Sequence, residues 1–473
     1  MSELNGPYDL VVIGSGPAGE KGAAQAAYFG KRVALIERED ALGGAACNTG
    51  TLPSKTLRET AVTLSAFRSR DLYGIDLSLR RQVTVQDLML RAGAVKSTER
   101  LEIANNVKRH QIDLFNGSGS FAGPNEIWVT DDEGGRVVLQ SEKFLIASGS
   151  SPRRLDSYPL EDPRVWDSDQ ILNLERMPRR MAIVGAGVIG CEYACVFAAL
   201  GVEVFLIHDR EHILPFLDRD VCTVLQSRMG ALGVTFLLGD KVIGCKAMKR
   251  GIRIELQSKS LLTDAVLVAA GRTGNVAALN LAAVGISPNK SGFIQVNENF
   301  QTEAPHVYAA GDVIGFPALA STSMEQARMA MVHAFDLKYK KSVARVLPLA
   351  IYTIPEVAAA GETEMSLLEN GVEYVVGRAY YDRNARGKII GDREGMLKLL
   401  FRRDDMKLLG VGVVGEMASE VVHVGLIALM VDAGTDLFIE TCFNYPTLGQ
   451  LYKYATYDAM QQRARTDEAI GVT

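Results

Sequence analysis

Residues 8–19 read Tyr8-Asp9-Leu10-Val11-Val12-Ile13-Gly14-Ser15-Gly16-Pro17-Ala18-Gly19, and the fold follows from how this stretch is parsed. The run ending at Ile13 is apolar on both faces, as a buried parallel strand requires. A glycine turn follows, then an alanine-rich helical run over 18–29, then a second apolar strand over 32–37 that ends in Glu37. Strand, turn, helix and strand complete a βαβ unit in about 30 residues. In Gly14-x-Gly16-x-x-Gly19 the first glycine permits the tight turn and the second lets the backbone approach a pyrophosphate. The third lets the helix pack on the strand, and the helix N-terminus faces the phosphates. Glu37 is placed to accept hydrogen bonds from an adenosine ribose. A glycine triplet alone signals only a turn; with the strand, helix and distal acid around it, it signals a dinucleotide site.

The same grammar returns at residues 180–184, Gly185-x-Gly187-x-x-Gly190, an alanine-rich helix to Leu200, and a strand over 202–207. This second strand runs into His208-Asp209-Arg210 instead of a lone acid. An acid there suits a free ribose 2′-hydroxyl, whereas an arginine accommodates a 2′-phosphate. The alternative is that Asp209 and Arg210 form a solvated surface pair. Apolar strands at 144–147 and 265–270 end in Ser148-Gly149-Ser150-Ser151-Pro152 and Gly271-Arg272-Thr273-Gly274-Asn275. They read as entry and exit points, which makes the second unit an insertion in the first. From about Leu347 short β-rich runs alternate with helical patterns, without a third glycine fingerprint. The expected architecture is α/β, with two Rossmann-type dinucleotide-binding domains and a C-terminal α+β domain. Its parts are residues 1–154 (first unit), 155–274 (inserted unit), 275–346 (first unit resumed) and 347–473 (last domain).

The chain has 473 residues, 47% hydrophobic and 23% charged, a composition that suits several globular domains. A net charge of −5 without a dense Lys/Arg run argues against nucleic acid or an anionic membrane as partner. No apolar stretch is long enough to cross a bilayer. The opening Met1-Ser2-Glu3-Leu4-Asn5-Gly6 lacks the basic and apolar regions of an export signal, so a cytoplasmic location is expected. The six cysteines are scattered without C-x-x-C pairs, and the six histidines lack ligand spacing, so the expectation is reduced thiols and no metal. Cys191 and Cys195, four apart on a helix, read as packing residues.

Further motifs fall into order along the chain: Gly43-Gly44, Pro53-Ser54-Lys55, Ala147-Ser148-Gly149, Gly271-Arg272, Thr302 with Val307-Tyr308-Ala309-Ala310-Gly311-Asp312, and Ile354-Pro355-Glu356-Val357. With the two fingerprints, they make the chain resemble, over essentially its whole length, the flavoprotein disulfide reductases, the group of dihydrolipoamide dehydrogenase and glutathione reductase. The resemblance implies FAD on the first fingerprint, with Asp312 on its ribityl chain, and a nicotinamide nucleotide on the second. It also implies a homodimer, or a higher homo-oligomer, built on the last domain. Carried over position by position, the implied cofactor-binding set is Gly14, Gly16, Gly19, Glu37, Arg38, Gly43, Gly44, Thr51, Lys55, Gly119, Ser148, Gly149, Gly185, Gly187, Val188, Gly190, Glu192, Asp209, Arg210, Gly271, Gly311, Asp312, Leu319 and Ala320. Lys55 and Glu192 correspond to a catalytic ion pair beside the flavin, where Lys55 would stabilise negative charge and Glu192 would orient Lys55 and the nicotinamide. The plainer alternative is a structural ion pair between domains. Val188 stands where some relatives have an aromatic gate, although core packing accounts for it equally well.

The departures from the family are chemical. Aligned on Pro53-Ser54-Lys55, the redox disulfide would occupy Ala46 and Thr51, so both sulfurs are missing, and Cys47 is displaced by one residue without a partner. The family's acid/base pair would fall at Tyr445 and Gln450, neither of which shuttles a proton near neutral pH. Disulfide reduction needs a dithiol relay and a base, whereas passing hydride between two nicotinamides by way of a flavin needs neither. Within the family the chain is most similar to the soluble pyridine nucleotide transhydrogenases. It shares with them Gly50-Thr51-x-Pro53-Ser54-Lys55, the phrase from Gly187 to Ala194, Gly271-Arg272-Thr273-Gly274-Asn275 and Phe443-Asn444-Tyr445-Pro446-Thr447. Those proteins usually carry their single cysteine at the place of Ala46. This resemblance implies an oxidoreductase with FAD as cofactor and NAD(H) and NADP(H) as substrates. The implied reaction is ping-pong, Si-specific hydride exchange between NADPH and NAD⁺. The rival readings are an NAD(P)H:quinone or diaphorase-type reductase, and a non-catalytic redox-sensing flavoprotein.

Overall fold

The computed structural model describes residues 7–65 and 83–469; the reading of residues 1–6 as free of an export signal lies outside them. The expected βαβ unit is present as β1 (Tyr8–Ile13), α1 (Pro17–Tyr28) and β2 (Val33–Glu37). β1 and β2 pair in parallel, Leu10 opposite Val33 and Ile13 opposite Ile36. Every residue of β2 is buried, as a strand covered on both faces must be. The chain continues through α2 (Gly44–Asn48), α3 (Thr51–Leu64) and the long α4 (Val85–Arg109), which opens on a Thr84–Asp87 capping box. β3 (Asp113–Asn116), β4 (Ser118–Gly123), β5 (Glu126–Thr130) and β6 (Arg136–Ile146) complete most of the first sheet, ordered β3-β2-β1-β6-β5-β4.

The chain leaves the first unit through β7 (Ser150–Pro152) and reaches β8 (Val165–Asp167) in the second. β9 (Arg180–Val184), α5 (Val188–Ala199) and β10 (Glu203–His208) repeat the first βαβ unit. α6 (Arg219–Leu232), β11 (Val234–Leu238), an antiparallel trio β12 (Val242–Met248), β13 (Gly251–Leu256) and β14 (Ser260–Thr263), then β15 (Ala265–Val268) and β16 (Arg272–Gly274) follow. The sheet β11-β10-β9-β15-β8 is parallel throughout. β16 pairs antiparallel with β7, Arg272 opposite Pro152, so the segment's two ends are tied side by side. α5 is buried from Gly190 to Ala199, and Cys191 and Cys195 lie wholly in its core packing.

The third glycine of each fingerprint has a steric cause. A Cβ on Gly19 would stand 1.7 Å from the Gly14 carbonyl oxygen, and one on Gly190 would stand 1.8 Å from that of Gly185. Only glycine lets helix and turn approach so closely.

β17 (Val307–Ala309) returns to the first sheet beside β6, and α7 (Ala320–Ala334) packs on α1. The last part is an antiparallel sheet of β18 (Leu349–Ile351), β19 (Glu356–Gly361), β20 (Tyr374–Tyr380), β21 (Met396–Arg402) and β22 (Leu408–Gly415), ordered β18-β19-β22-β21-β20. α8 (Glu364–Glu369), α9 (Ala385–Ile390), α10 (Ala418–Met430), α11 (Thr435–Glu440) and α12 (Leu451–Ala469) accompany it. One apolar core joins α3, α5 and this sheet through Leu57, Tyr193, Ile351, Ile354 and Val357. That core fixes the walls of the cleft described next.

Candidate functional site

Both glycine turns open into one continuous cleft of about 1970 Å³. Its volume is well above the roughly 300–1,000 Å³ that suits one drug-sized ligand, and it has room for two dinucleotides. A Cβ on Gly187 would meet no atom within 4 Å, and one on Gly16 would meet only the Gly44 Cα, at 3.8 Å. A side chain there would fill the cradle in front of each helix N-terminus, which fits a pyrophosphate laid against bare backbone.

Of the expected cofactor-binding residues, all but three line this cleft. Gly19 and Gly190 stand behind the wall, where they let helix meet strand. Gly43 also lies behind it; its N–H donates to Ser15 Oγ at 3.0 Å and its Cα faces Cys47. Glu37 is anchored before any ligand arrives. Its Oε2 accepts from the Ser15 N–H at 2.9 Å and the Ser15 hydroxyl at 2.6 Å, and its Oε1 from the Glu39 N–H at 3.0 Å. Oε2 thus has both lone pairs engaged, and Oε1 keeps a further one for a ribose hydroxyl. Asp312 is held by the Ser150 hydroxyl at 2.9 Å. Arg272 grips Ser150 at both its hydroxyl and its carbonyl, and reaches Asp169 at 3.2 Å. This chain of contacts links the acid expected at FAD to the wall of the second unit.

At the centre of the cleft Lys55 Nζ lies 2.8 Å from both carboxylate oxygens of Glu192, a bridge between α3 and α5. The Glu192 side chain is only 6% exposed, so its charge depends on this partner. Two contacts from the last sheet complete the arrangement: the Tyr352 N–H donates to Glu192 Oε1 at 2.9 Å, and the Tyr352 ring lies 5.1 Å from Lys55 Nζ. One turn further along α3, the buried Arg58 pairs with Glu356 at 3.3 Å and donates to the Thr353 carbonyl at 3.2 Å. The α3 helix therefore holds the segment from Tyr352 to Glu356 through two cations. Sequence reasoning had Glu356 only as part of a motif and missed Tyr352, Arg58 and Ser15. It also missed Lys96 and Arg100 of α4, which line the cleft beside Asn48. The one available signal was the i, i+3 spacing of Lys55 and Arg58 on α3, which puts both cations on one face of the helix.

Ala46 and Thr51 both face the cleft, so neither disulfide position supplies a sulfur. Cys47 does not face it. It is buried, with Sγ 3.8 Å from the Lys96 carbonyl, and burial, assisted by Glu99, pushes its thiol upward. A thiol held protonated is a poor nucleophile. Cys47→Ser should accordingly leave turnover within a few-fold of wild type, and anaerobic titration should stop at two electrons per bound FAD; uptake of four would contradict this placement. Tyr445 and Gln450 are not among the cleft-lining residues, whereas His423 is. Cys442 is the exposed cysteine; the other five are buried.

At the end of β10, Asp209 and Arg210 both border the cleft, with Lys241 close by in the lining. The ring beside Asp209 is that of His208, whose Nδ1 lies 3.3 Å from Oδ1; burial lowers the imidazole, outweighing the pull of Asp209, and favours its neutral form. Away from the cleft, Asp218, Asp220 and Glu364 come close enough together to hold a cation. The ammonium of Lys398, fully buried, already fills that place, 3.1 Å from Asp218, 2.8 Å from Asp220 and hydrogen-bonded to Glu364. Arg378 adds a bond to Asp220 at 2.7 Å.

Two fingerprints in one cleft, an inserted second unit and an antiparallel last sheet define a class. The pyridine nucleotide-disulphide oxidoreductase model matches residues 8–334 and the dimerisation domain of the same group matches 347–456, and the chain belongs to this family of FAD-dependent oxidoreductases. Among individual proteins it is 41% identical over 457 residues to the soluble pyridine nucleotide transhydrogenase of Mycobacterium bovis BCG, covering 96% of this chain and 97% of that one. It is 38% identical over 460 residues to the protein of the same name from a Marinomonas species, at 96% and 98% coverage. The crystal structure of LpdA from Mycobacterium tuberculosis superposes with a TM-score of 0.88 at 26% identity, covering 95% of this chain and 99% of that one. The flavoprotein disulfide reductase RclA from Escherichia coli, at 0.86 and 24%, covering 96% and 99%, shares the fold.

Proposed function

We propose that the chain is an FAD-dependent transhydrogenase that exchanges hydride between NADPH and NAD⁺, Si-specific and ping-pong, at one nucleotide site and without a redox disulfide. The observation that carries this reading is that the cleft keeps the Lys55–Glu192 pair while the two disulfide positions are Ala46 and Thr51. When bound, FAD supplies the group that takes hydride from one nicotinamide and gives it to the other. The residues around it bind and orient. In this reading residues 1–154 and 275–346 hold FAD and residues 155–274 hold the nucleotide. Lys55 offers positive charge at the centre of the cleft, and Glu192 keeps Lys55 in place and faces the nicotinamide. Val188 puts no aromatic gate at its own position beside the second glycine turn. Residues 347–473 would form a homodimer, for which the exposed apolar side chains Ile427 on α10 and Tyr454 and Tyr457 on α12 offer surface. No helix among the described residues is long and apolar enough to cross a membrane, which accords with the cytoplasmic placement we propose.

The test is a steady-state assay with NADPH as donor and thio-NAD⁺ or a quinone as acceptor. Thio-NAD⁺ should be reduced in parallel-line, ping-pong kinetics; reduction of quinone alone would replace this reading with a quinone reductase, and turnover of neither with a sensor. The 2′ end of the site gives a sharper expectation. Arg210 offers a charged hydrogen bond to a 2′-phosphate and Asp209 accepts from a 2′-hydroxyl. A charged hydrogen bond contributes about 1.5–3 kcal/mol, so Arg210→Ala should weaken NADP(H) by about one to two orders of magnitude and barely affect NAD(H). Equal changes in kcat/KM for NADPH and NADH would contradict that assignment.

A further inference from the structure

We propose that Phe216 and Phe316 form an aromatic clasp across the cleft that closes over the middle of the nicotinamide nucleotide and sets how fast either nucleotide leaves. The inference rests on the reading of the cleft as a nucleotide site. The two rings come from opposite walls. Phe216 lies in the loop between β10 and α6, in the inserted unit, and Phe316 lies between β17 and α7, in the first unit. Both border the cleft, and their ring centroids are 6.4 Å apart with planes tilted by 52°. That separation is within the range over which aromatic rings attract one another.

The position along the cleft is set by a backbone bond. The Leu214 N–H donates to the Ala186 carbonyl at 3.2 Å. This holds Pro215 and Phe216 beside the second glycine turn, where a dinucleotide's pyrophosphate would lie. The clasp thus stands between the 2′ end at Asp209 and Arg210 and the nicotinamide end at Lys55 and Glu192.

The two rings differ in freedom. Phe216 packs against the buried core of α5 and α6. Phe316 is 81% exposed, the most exposed large apolar side chain among the described residues. It follows Gly315, whose φ of +95° is a conformation that other residues rarely adopt. One ring is therefore a fixed jamb and the other a free leaf. A nucleotide lying beneath them would cover the exposed face of Phe316, removing apolar surface from water. Neither ring carries charge, so the contact does not discriminate a 2′-phosphate from a 2′-hydroxyl and treats NAD(H) and NADP(H) alike. An enzyme that must release one nucleotide before it binds the other at a shared site gains from a retaining contact that is weak and indifferent to the 2′ group.

The experiment uses the FAD-loaded protein and the fluorescent etheno derivatives of NAD⁺ and NADP⁺, displaced in a stopped-flow instrument by excess unmodified nucleotide. Phe316→Ala should raise both dissociation rates about three- to tenfold, the span of one aromatic contact. Phe316→Tyr should restore them, and the thermal midpoint should stay at the wild-type value because the ring supports no core. Phe216→Ala should raise the rates by a similar factor, and the double variant should add little, as expected of residues that act as one contact. Unchanged dissociation rates in Phe316→Ala, or a change confined to one nucleotide, would overturn the clasp while leaving the proposed activity standing. Failure of the wild-type protein to bind either probe would overturn the nucleotide-site reading itself, and the clasp with it.

Discussion

Lys55→Met should lower the transhydrogenation rate by about 10²–10³-fold, the usual scale for losing one preorganised charge at a reacting centre. Two effects add. The substitution removes the cation at the middle of the cleft and leaves Glu192, 6% exposed, without its charged partner. The loss should appear in kcat and kcat/KM together, because the 2′ and pyrophosphate ends that dominate nucleotide affinity are untouched. Glu192→Gln should be milder. An amide oxygen can still accept from the Tyr352 N–H, now at 2.9 Å from the carboxylate, but it no longer holds Lys55 by charge. Stopped-flow measurement with NADPH on both variants checks this, with circular dichroism to verify the fold. A Lys55→Met protein with wild-type kcat would reduce the pair to a structural tie between α3 and α5.

Lys398→Met should destabilise the protein by about 3–5 kcal/mol, the range for breaking a buried ion pair from one side. Lys398 is fully buried and touches Asp218, Asp220 and Glu364; without it, Arg378 still reaches Asp220 and Glu364, and Asp218 loses the cation beside it. Burial raises the Asp220 carboxyl, but hydrogen bonds and charge from Lys398 and Arg378 outweigh it and hold Asp220 below its usual range. Burial lowers Lys398 in turn, and its bonds to Asp220 and Glu364 outweigh that and raise it. The signs define a window. The depressed Asp220 contributes stability that is present above its unfolded pKa of about 3.9 and is lost as pH falls through the lower folded value. The raised Lys398 contributes stability that is present below about 10.4 and is lost as pH climbs through its folded value. Asp220 and Lys398 should therefore leave wild type insensitive to pH through the neutral range. Asp218, whose carboxyl burial raises despite Lys398, works against Asp220 and favours the folded state as pH falls toward the carboxylate range. Lys398→Met should gain stability as pH falls toward the carboxylate range, because protonation relieves the uncompensated acids. Thermal midpoints across pH for wild type, Lys398→Met and Lys398→Met/Asp220→Asn test this; a single variant as stable as wild type at pH 7 would contradict it.

The elements that the sequence made legible are those whose burial is complete. β1, β2, β9 and β10 are apolar on both faces, so their strands and the turns between them could be read to within a residue or two. β6 was legible only at its end. The apolar run over 144–147 is the buried tip of Arg136–Ile146, whose earlier half alternates toward solvent. β15 was read two residues too long. The backbone leaves the sheet after Val268, and Ala269 and Ala270 turn into the cleft wall. Of the site, the glycine turns, Glu37, Lys55 and Glu192 were legible because each sits at a fixed offset from a strand or a motif. Tyr352 was not, since it acts through its backbone N–H, to which no side-chain pattern points. Lys398 was hidden for another reason. In Met396-Leu397-Lys398-Leu399-Leu400 it looks like the solvent-facing position of a strand, and its three acids come from two distant helix starts. Phe216 and Phe316 are apolar residues in two loops, and nothing in either loop tells that they meet.

The antiparallel tie between Ser150–Pro152 and Arg272–Gly274 has a consequence for how this architecture changes over time. The host holds its insert at these two threads, at the Lys55–Glu192 bridge, along the core shared by α3, α5 and the last sheet, and at Lys398 and Arg378, which grip Asp218 and Asp220. In the proposed function, the residues of the 2′ end, Asp209, Arg210 and Lys241, hang beyond those threads, while Glu37 and Asp312, proposed for the flavin, lie on the host. Coenzyme preference is in this sense a detachable trait. It can be exchanged as one cassette between Ser150 and Gly274, provided that the incoming piece keeps the contacts that cross the splice: an arginine to meet Ser150, a glutamate to meet Lys55, and two carboxylates to meet Lys398.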